Sequence, residues 1–213
     1  MSKLIIVESP SKCKKIEGFL GAGYKCVATS GHITKLNSLD DIDAQYHPTF
    51  SAIEAKKSSI KKLKYAIANA KEIYIATDDD REGEAIGWHV SQLFKLPSTT
   101  KRIVFREITK SAILHAVQNP TILNQRVVNA AIGRQILDLL VGFIISPYLW
   151  KHVSYKKHLS AGRCQTPALR LIYDNEREIE KNPGKVVYRV EGYFTNKNVP
   201  FTLNKTIPQA DID

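Results

Sequence analysis

Ile73-Tyr74-Ile75-Ala76-Thr77-Asp78-Asp79-Asp80-Arg81-Glu82-Gly83-Glu84 is the stretch that decides the fold. Its first five residues, mostly β-branched or aromatic, read as a strand. Five carboxylates then fall within seven residues, and a helix follows from Glu82 or Glu84 to Leu96. Upstream, Lys3 to Val7 is a continuous apolar run, as expected of a strand buried on both faces. A helix over about Ser11 to Leu20 should follow it and stop at Gly21-Ala22-Gly23. Tyr24 to Thr29 reads as a further strand, and Ser30-Gly31-His32 as a turn. Residues 35–54, polar and irregular, read as a loop or an excursion out of the first domain.

Ile60, Leu63, Ile67 and Ala70 have helical spacing, with Lys56, Lys57, Lys61, Lys62 and Lys64 on the wet side. That lysine run reads first as a solvated face. Downstream, Ile103 to Phe105 reads as a strand, and Thr109 as the N-cap of a helix to about Gln118. Pro120 breaks it, and a long helical region runs from about Leu123 to Ile145. The alternation of strand and helix predicts an α/β fold, a parallel sheet flanked by helices. The basic stretch Lys151 to Ser160 reads as a boundary. Gln165 to Glu180 reads as a helix ending at Asn182-Pro183-Gly184. Val186 to Phe194 and Pro200 to Leu203 read as a hairpin around Asn196-Lys197-Asn198.

The 213 residues carry 31 Lys and Arg against 21 Asp and Glu, a net charge of +10, which suits a polyanionic partner. Apolar residues at 43% and charged residues at 24% exclude a disordered or collagen-like chain. The longest apolar stretch, Ile136 to Ile145, is short and contains Asp138, so no transmembrane helix is expected. MSKLIIVESP shows no signal-peptide pattern. Cys13, Cys26 and Cys164 are odd in number and far apart, which argues against a disulfide framework or a zinc finger and for a reducing compartment.

Crowded carboxylates repel one another and need compensation. Asp80 or Glu82 could cap the following helix, but a cap uses one or two acids, not five. A hard divalent cation is the other answer. Magnesium takes oxygen ligands and needs only one or two carboxylates beside phosphate. In a parallel sheet Glu8 and Asp78 should share the carboxyl edge, where ligands bind. Glu8 could cap the next helix, join the metal site or act as a general acid/base. Lys12, one turn into that helix, could meet a phosphate. The constellation suits phosphoryl transfer.

Four stretches carry a family resemblance: Val7 to Lys12 (VESPSK); Ala76 to His89 (ATDDDREGEAIGWH); Phe105 to Thr109 (FREIT); and Asp138 to Leu171, with VGFIISPYLW and LSAGRCQTPALRL. Together they resemble the N-terminal part of the type IA DNA topoisomerases, over nearly all of Ser2 to Pro183. The first two stretches are shared with the wider Toprim superfamily; the Ser160-Ala161-Gly162-Arg163 core is specific to type IA enzymes.

The resemblance implies a Toprim domain over 1–120, a partial helical single-strand DNA-groove domain over 121–182 and the truncated start of a β-containing domain over 183–213. It implies that Asp78, Asp80 and Glu82 bind Mg2+, with Glu8 close to the scissile phosphate and the metal. Lys12 would stabilise charge there, and Arg163 would hold a phosphate and serve the reaction. His32, Arg134, Gln135 and Asp138 would face DNA. Phe143 and Trp150 would offer stacking surfaces, although by residue type alone both belong in a core. Ser160, Ala161, Gly162, Arg163, Cys164 and Gln165 would form a backbone-binding loop. On their own residues, His32 reads as a turn-capping histidine, and Arg134 with Asp138 as an intrahelical ion pair.

This sequence has Phe143 where the family often has tyrosine. Gln135 and Leu139 stand where some relatives carry arginine. The family's nucleophilic tyrosine, in a T-Y-x-R-T motif, has no counterpart among the nine tyrosines. The expectation is therefore an N-terminal fragment of an Mg2+-dependent, ATP-independent enzyme. The whole protein would relax negatively supercoiled DNA through a 5′-phosphotyrosine, as a monomer, away from membranes, in a cytoplasmic, nucleoid or other DNA-containing compartment. The alternatives are a stand-alone Toprim nuclease or primase-like enzyme and a non-catalytic DNA-binding module.

Overall fold

The computed structural model describes residues 2–154, 159–182, 184, 187–193 and 200–208. The expected turn at Asn196-Lys197-Asn198, Pro183 and positions 155–158 of the basic stretch lie outside them. By its internal contacts the chain forms two units, Met1–Gly162 and Arg163–Asp213.

The first unit is built on a parallel sheet of β1 (Ser2–Val7), β2 (Tyr24–Ala28), β5 (Ala70–Ile75) and β6 (Lys101–Arg102), in spatial order β2-β1-β5-β6. The chain first steps from β1 to β2 on one side and then returns to β5 on the other. The direction of winding therefore switches between β1 and β5, the place where open α/β sheets bind ligands. Helices α1 (Pro10–Leu20) and α4 (Lys110–Gln118) cover one face. Ile5, Val7, Tyr74, Ile103, Ile16 and Ile113 form the core there. Helices α2 (Lys57–Ala68) and α3 (Arg81–Phe94) cover the other, over Leu4, Ile6, Leu63, Ala66 and Val90. The two clusters take alternate residues of β1, as the period of two along a strand requires.

Local chemistry sets the helix ends. Pro10 opens α1, where its missing N–H costs nothing, and Gly21 closes it at φ 74°. Thr109 caps α4 by accepting a hydrogen bond from the Ala112 N–H. Residues 35–54 return to the unit through a short antiparallel ladder, β3 (Thr34–Lys35) with β4 (Ser51–Ala52). The strand expected at Ile103 to Phe105 is shorter and earlier, because Arg102 turns inward at this sheet edge (below). Helix α5 (Gln125–Leu149) runs through Pro147 into a π-helical turn, Trp150–Ser154. It packs along α3.

By length and composition Gln125–Val153 is apolar enough to cross a membrane, although it contains no uninterrupted apolar run of that length. Arg134 and Asp138 lie in its middle, and its Val128 and Ala131 are buried within the first unit. In the second unit α6 (Gln165–Lys181) precedes an antiparallel pair, β7 (Val187–Tyr193) and β8 (Pro200–Pro208).

Candidate active site

Each of the five acids after β5 has its own partner. The Lys12 ammonium pairs with Asp78. Arg106 Nε lies 3.1 Å from Asp79. Asp80 is the N-cap of α3, its Oδ1 accepting from the Gly83 N–H at 2.7 Å. Glu82 meets His32 Nε2 at 3.0 Å. Glu84 turns inward to Arg102 at 3.0 Å. The expected repulsion is thus answered residue by residue, by groups from α1, the first turn of α3, the inward-facing Arg102 and the two loops that carry His32 and Arg106. Arg106 belongs to the Phe105 to Thr109 stretch, to which sequence gave no role.

Arg102 is the residue that sequence reasoning missed. It is 1% exposed. Besides Glu84, its guanidinium donates to the carbonyls of Thr77 at 2.6 Å, Ile103 at 2.9 Å and Asp78 at 2.8 Å. A buried guanidinium requires this many partners. In return it clamps the backbone where the acidic turn leaves the strand. An arginine opening an apolar strand was the available signal. Gly83 completes the clamp from the helix side: a Cβ there would stand 2.2 Å from the Asp78 carbonyl oxygen. The helix can approach the turn only because that atom is missing.

Glu8 follows β1 at the switch point. Its backbone carbonyl accepts from the Ser30 N–H at 2.9 Å, tying the first loop to the turn that carries His32. Burial pushes its carboxyl pKa up, and Asp78 and Asp80 push the same way against Lys12 and His32. Glu8, Asp78, Asp80 and Lys12 therefore share one electrostatic neighbourhood, as the sheet-edge reading required. Among the described residues no three His, Cys, Asp or Glu side chains converge as a ready metal cage. The donors are hard carboxylate oxygens, and Asp80 and Asp78 each have an oxygen not used in the contacts above. That set fits magnesium, which asks for one or two protein carboxylates and keeps waters.

A cavity of about 500 Å³ lies between this edge and α5. His32, Thr34, Lys35, Glu82, Gln135, Asp138 and Leu139 line it. The structure thus brings His32, Gln135 and Asp138 together with an acid of the turn. Arg134 lies 3.7 Å from Asp138 along the helix. Phe143 is 48% exposed rather than core. Trp150 donates its indole N–H to the Leu159 carbonyl, and Ser146 accepts from the Ala161 N–H at 3.0 Å, so both hold the segment leading to Ser160 and Gly162. Arg163, Cys164 and Gln165 begin the second unit, Cys164 at the N-cap of α6.

A doubly wound parallel sheet with a glutamate and an acidic turn at its switch point defines a Toprim-type α/β domain. Residues 3–108 match the Toprim domain family, and residues 122–212 match a family described as DNA topoisomerase. Among solved structures, full-length topoisomerase I from Thermotoga maritima is similar at 40% identity and a TM-score of 0.73. The match covers 88% of this chain and 32% of that one. The chain belongs to the type IA DNA topoisomerase family. It spans about a third of the length of that relative.

Proposed function

We propose that this chain supplies the acid/base and phosphate-binding half of an active site that cleaves and rejoins one DNA strand. The observation that carries this reading is the shared neighbourhood of Glu8, Lys12, Asp78 and Asp80 at the switch point. A tyrosine from outside these residues would attack the phosphorus, and the bond to the 3′ oxygen would break. Glu8, whose raised pKa keeps its proton available nearer neutrality, would protonate the departing oxygen and recover that proton on rejoining. Lys12 would neutralise charge on the phosphate. Asp78 and Asp80, with Glu82 beside them, would hold magnesium, which supplies positive charge for positioning the DNA phosphates. One bond replaces another of like energy, so no ATP is consumed.

The cavity lined by His32, Gln135 and Asp138 would receive the single strand, with Arg134 beside it. Phe143 would stack a base, without the hydrogen bond that a tyrosine there could make. The loop at 160–165 would meet the backbone through Arg163. The groove portion would begin near residue 121, and the protein would act as a monomer in a reducing, DNA-containing compartment.

The test is a plasmid assay with magnesium. The 213-residue chain should bind single-stranded DNA and leave supercoils intact. A polypeptide continued through a T-Y-x-R-T segment should relax them and lose that activity on Glu8→Ala. Relaxation by the shorter chain overturns the reading. Magnesium-dependent nicking by it, abolished by Asp78→Ala, would instead establish the stand-alone nuclease.

A further inference from the structure

The lysine run on α2 is the one sequence feature that the site above does not use. Between Ala55 and Lys71 there are five lysines and no acid. Helix α2 directs Leu63 and Ala66 into the core, which leaves Lys57, Lys61, Lys62 and Lys64 exposed. Lys57 pairs with Glu54. Among the described residues Lys61, Lys62 and Lys64 make no ion pair.

A face that serves only solubility mixes both signs. This one breaks two local rules of helix stability. Lys57, Lys61 and Lys64 repel one another at spacings of four and three. The first turn carries lysine rather than an acid at the positive end of the helix dipole, with no side-chain cap. Local rules broken without a compensating contact are expected where a ligand does the compensating. Position points the same way. Lys56 Nζ donates to the Ser30 carbonyl at 2.6 Å, so the N-terminal end of α2 adjoins the turn that carries His32. From there the lysines recur about every 5–6 Å along the axis, on the solvent-facing side of the helix.

We propose that the lysine face of α2 binds the phosphate backbone of duplex DNA flanking the single-stranded segment. This rests on the reading of the chain as a DNA-binding half-site. A convex helix with a positive charge at each turn suits a duplex backbone, whereas a single strand needs a groove and stacking surfaces.

The experiment is the salt dependence of binding to two DNAs, a plain single strand and a duplex with a single-stranded tail. It compares the wild type with Lys61→Gln/Lys62→Gln/Lys64→Gln and with the matching lysine-to-arginine triple. Each phosphate neutralised on a duplex contributes about 0.9 to the slope of log affinity against log salt. The glutamine triple should lose about 2–3 of slope on the tailed duplex and nothing on the single strand. The arginine triple should keep the wild-type slope. Circular dichroism should show all three folded alike. An unchanged slope for the glutamine triple on the tailed duplex, with wild-type binding intact, overturns this inference alone. An equal loss on the single strand overturns the duplex assignment. A wild type that binds neither DNA overturns the half-site reading and this one with it.

Discussion

The turn at 78–84 and the helix at 57–68 both concentrate charge of one sign, and they manage it in opposite ways. In the turn every carboxylate is matched inside the fold: by Lys12, Arg106, the Gly83 amide, His32 and Arg102. On the helix Lys61, Lys62 and Lys64 face solvent, and no acid lies within the helix itself. The contrast separates two uses of charge. Internal matching fixes where each oxygen stands before a ligand arrives, and so preorganises a site. Unmatched charge on a convex surface fixes nothing, and its value lies in long-range attraction.

The contrast breaks most visibly at Arg102. Arg102→Ala leaves the Glu84 carboxylate in the core without its counter-charge and removes the donor to two carbonyls of the acidic turn. Denaturant unfolding should show a loss of about 3–5 kcal/mol, and a loss under about 1 kcal/mol would mean the turn is ordered by something else. Removing both charges together, as Arg102→Met with Glu84→Gln, should recover part of it.

A smaller effect comes from His89, which lies behind the turn on the same helix. It is 1% exposed, and its ring centroid is 6.1 Å from that of His32. Burial first, and then His32, lowers its pKa to about 4. Between pH 6.5 and about 4 the unfolded chain binds a proton at this residue and the folded chain does not. Stability should therefore fall as the pH drops through that window, by about 3 kcal/mol in all. His89→Gln should flatten that part of the pH profile. An unchanged profile would show that this histidine is not held neutral.

Asp80→Ala removes the cap of α3 and should cost about 1 kcal/mol. Hydrogen exchange at Gly83 should rise, while exchange in α2 stays unchanged. The smallest effect belongs to the lysine face. Lys61→Glu at low salt should stabilise the fold slightly, by a few tenths of a kcal/mol, seen as a small rise in melting temperature, because it relieves repulsion from Lys57 and Lys64. A fall would mean that the lysines already have partners in the fold, and the contrast would fail.

Much of the fold was legible because local patterns decided it. The apolar run at Lys3 to Val7, the Pro10 and Gly21 signals around α1 and the Thr109 cap gave elements close to those observed. The misses have physical causes. Ala70 joins β5 because it pairs with Ser2 across the sheet, a contact invisible to a window on β5 alone. Helix α5, expected to end near Ile145, runs on through Pro147 to Leu149. By residue type Phe143 belonged in a core, yet it lies half exposed on α5, because no described element covers that side.

The sequence by itself determined that a parallel α/β sheet would carry Glu8 and an acidic turn at one edge, because strand and helix periods and chain direction suffice for that. It also determined that this turn held more acids than a helix cap could use. Only the tertiary structure decided which acid meets which cation. Lys12 lies 66 residues from Asp78, and His32 lies 50 residues from Glu82. Arg102 of β6 reaches Glu84 of α3 across 18 residues. Such pairs are set by sheet order and by the side to which each crossover turns. No local propensity encodes them, so the five acids look equivalent in the sequence and become five different groups in the fold.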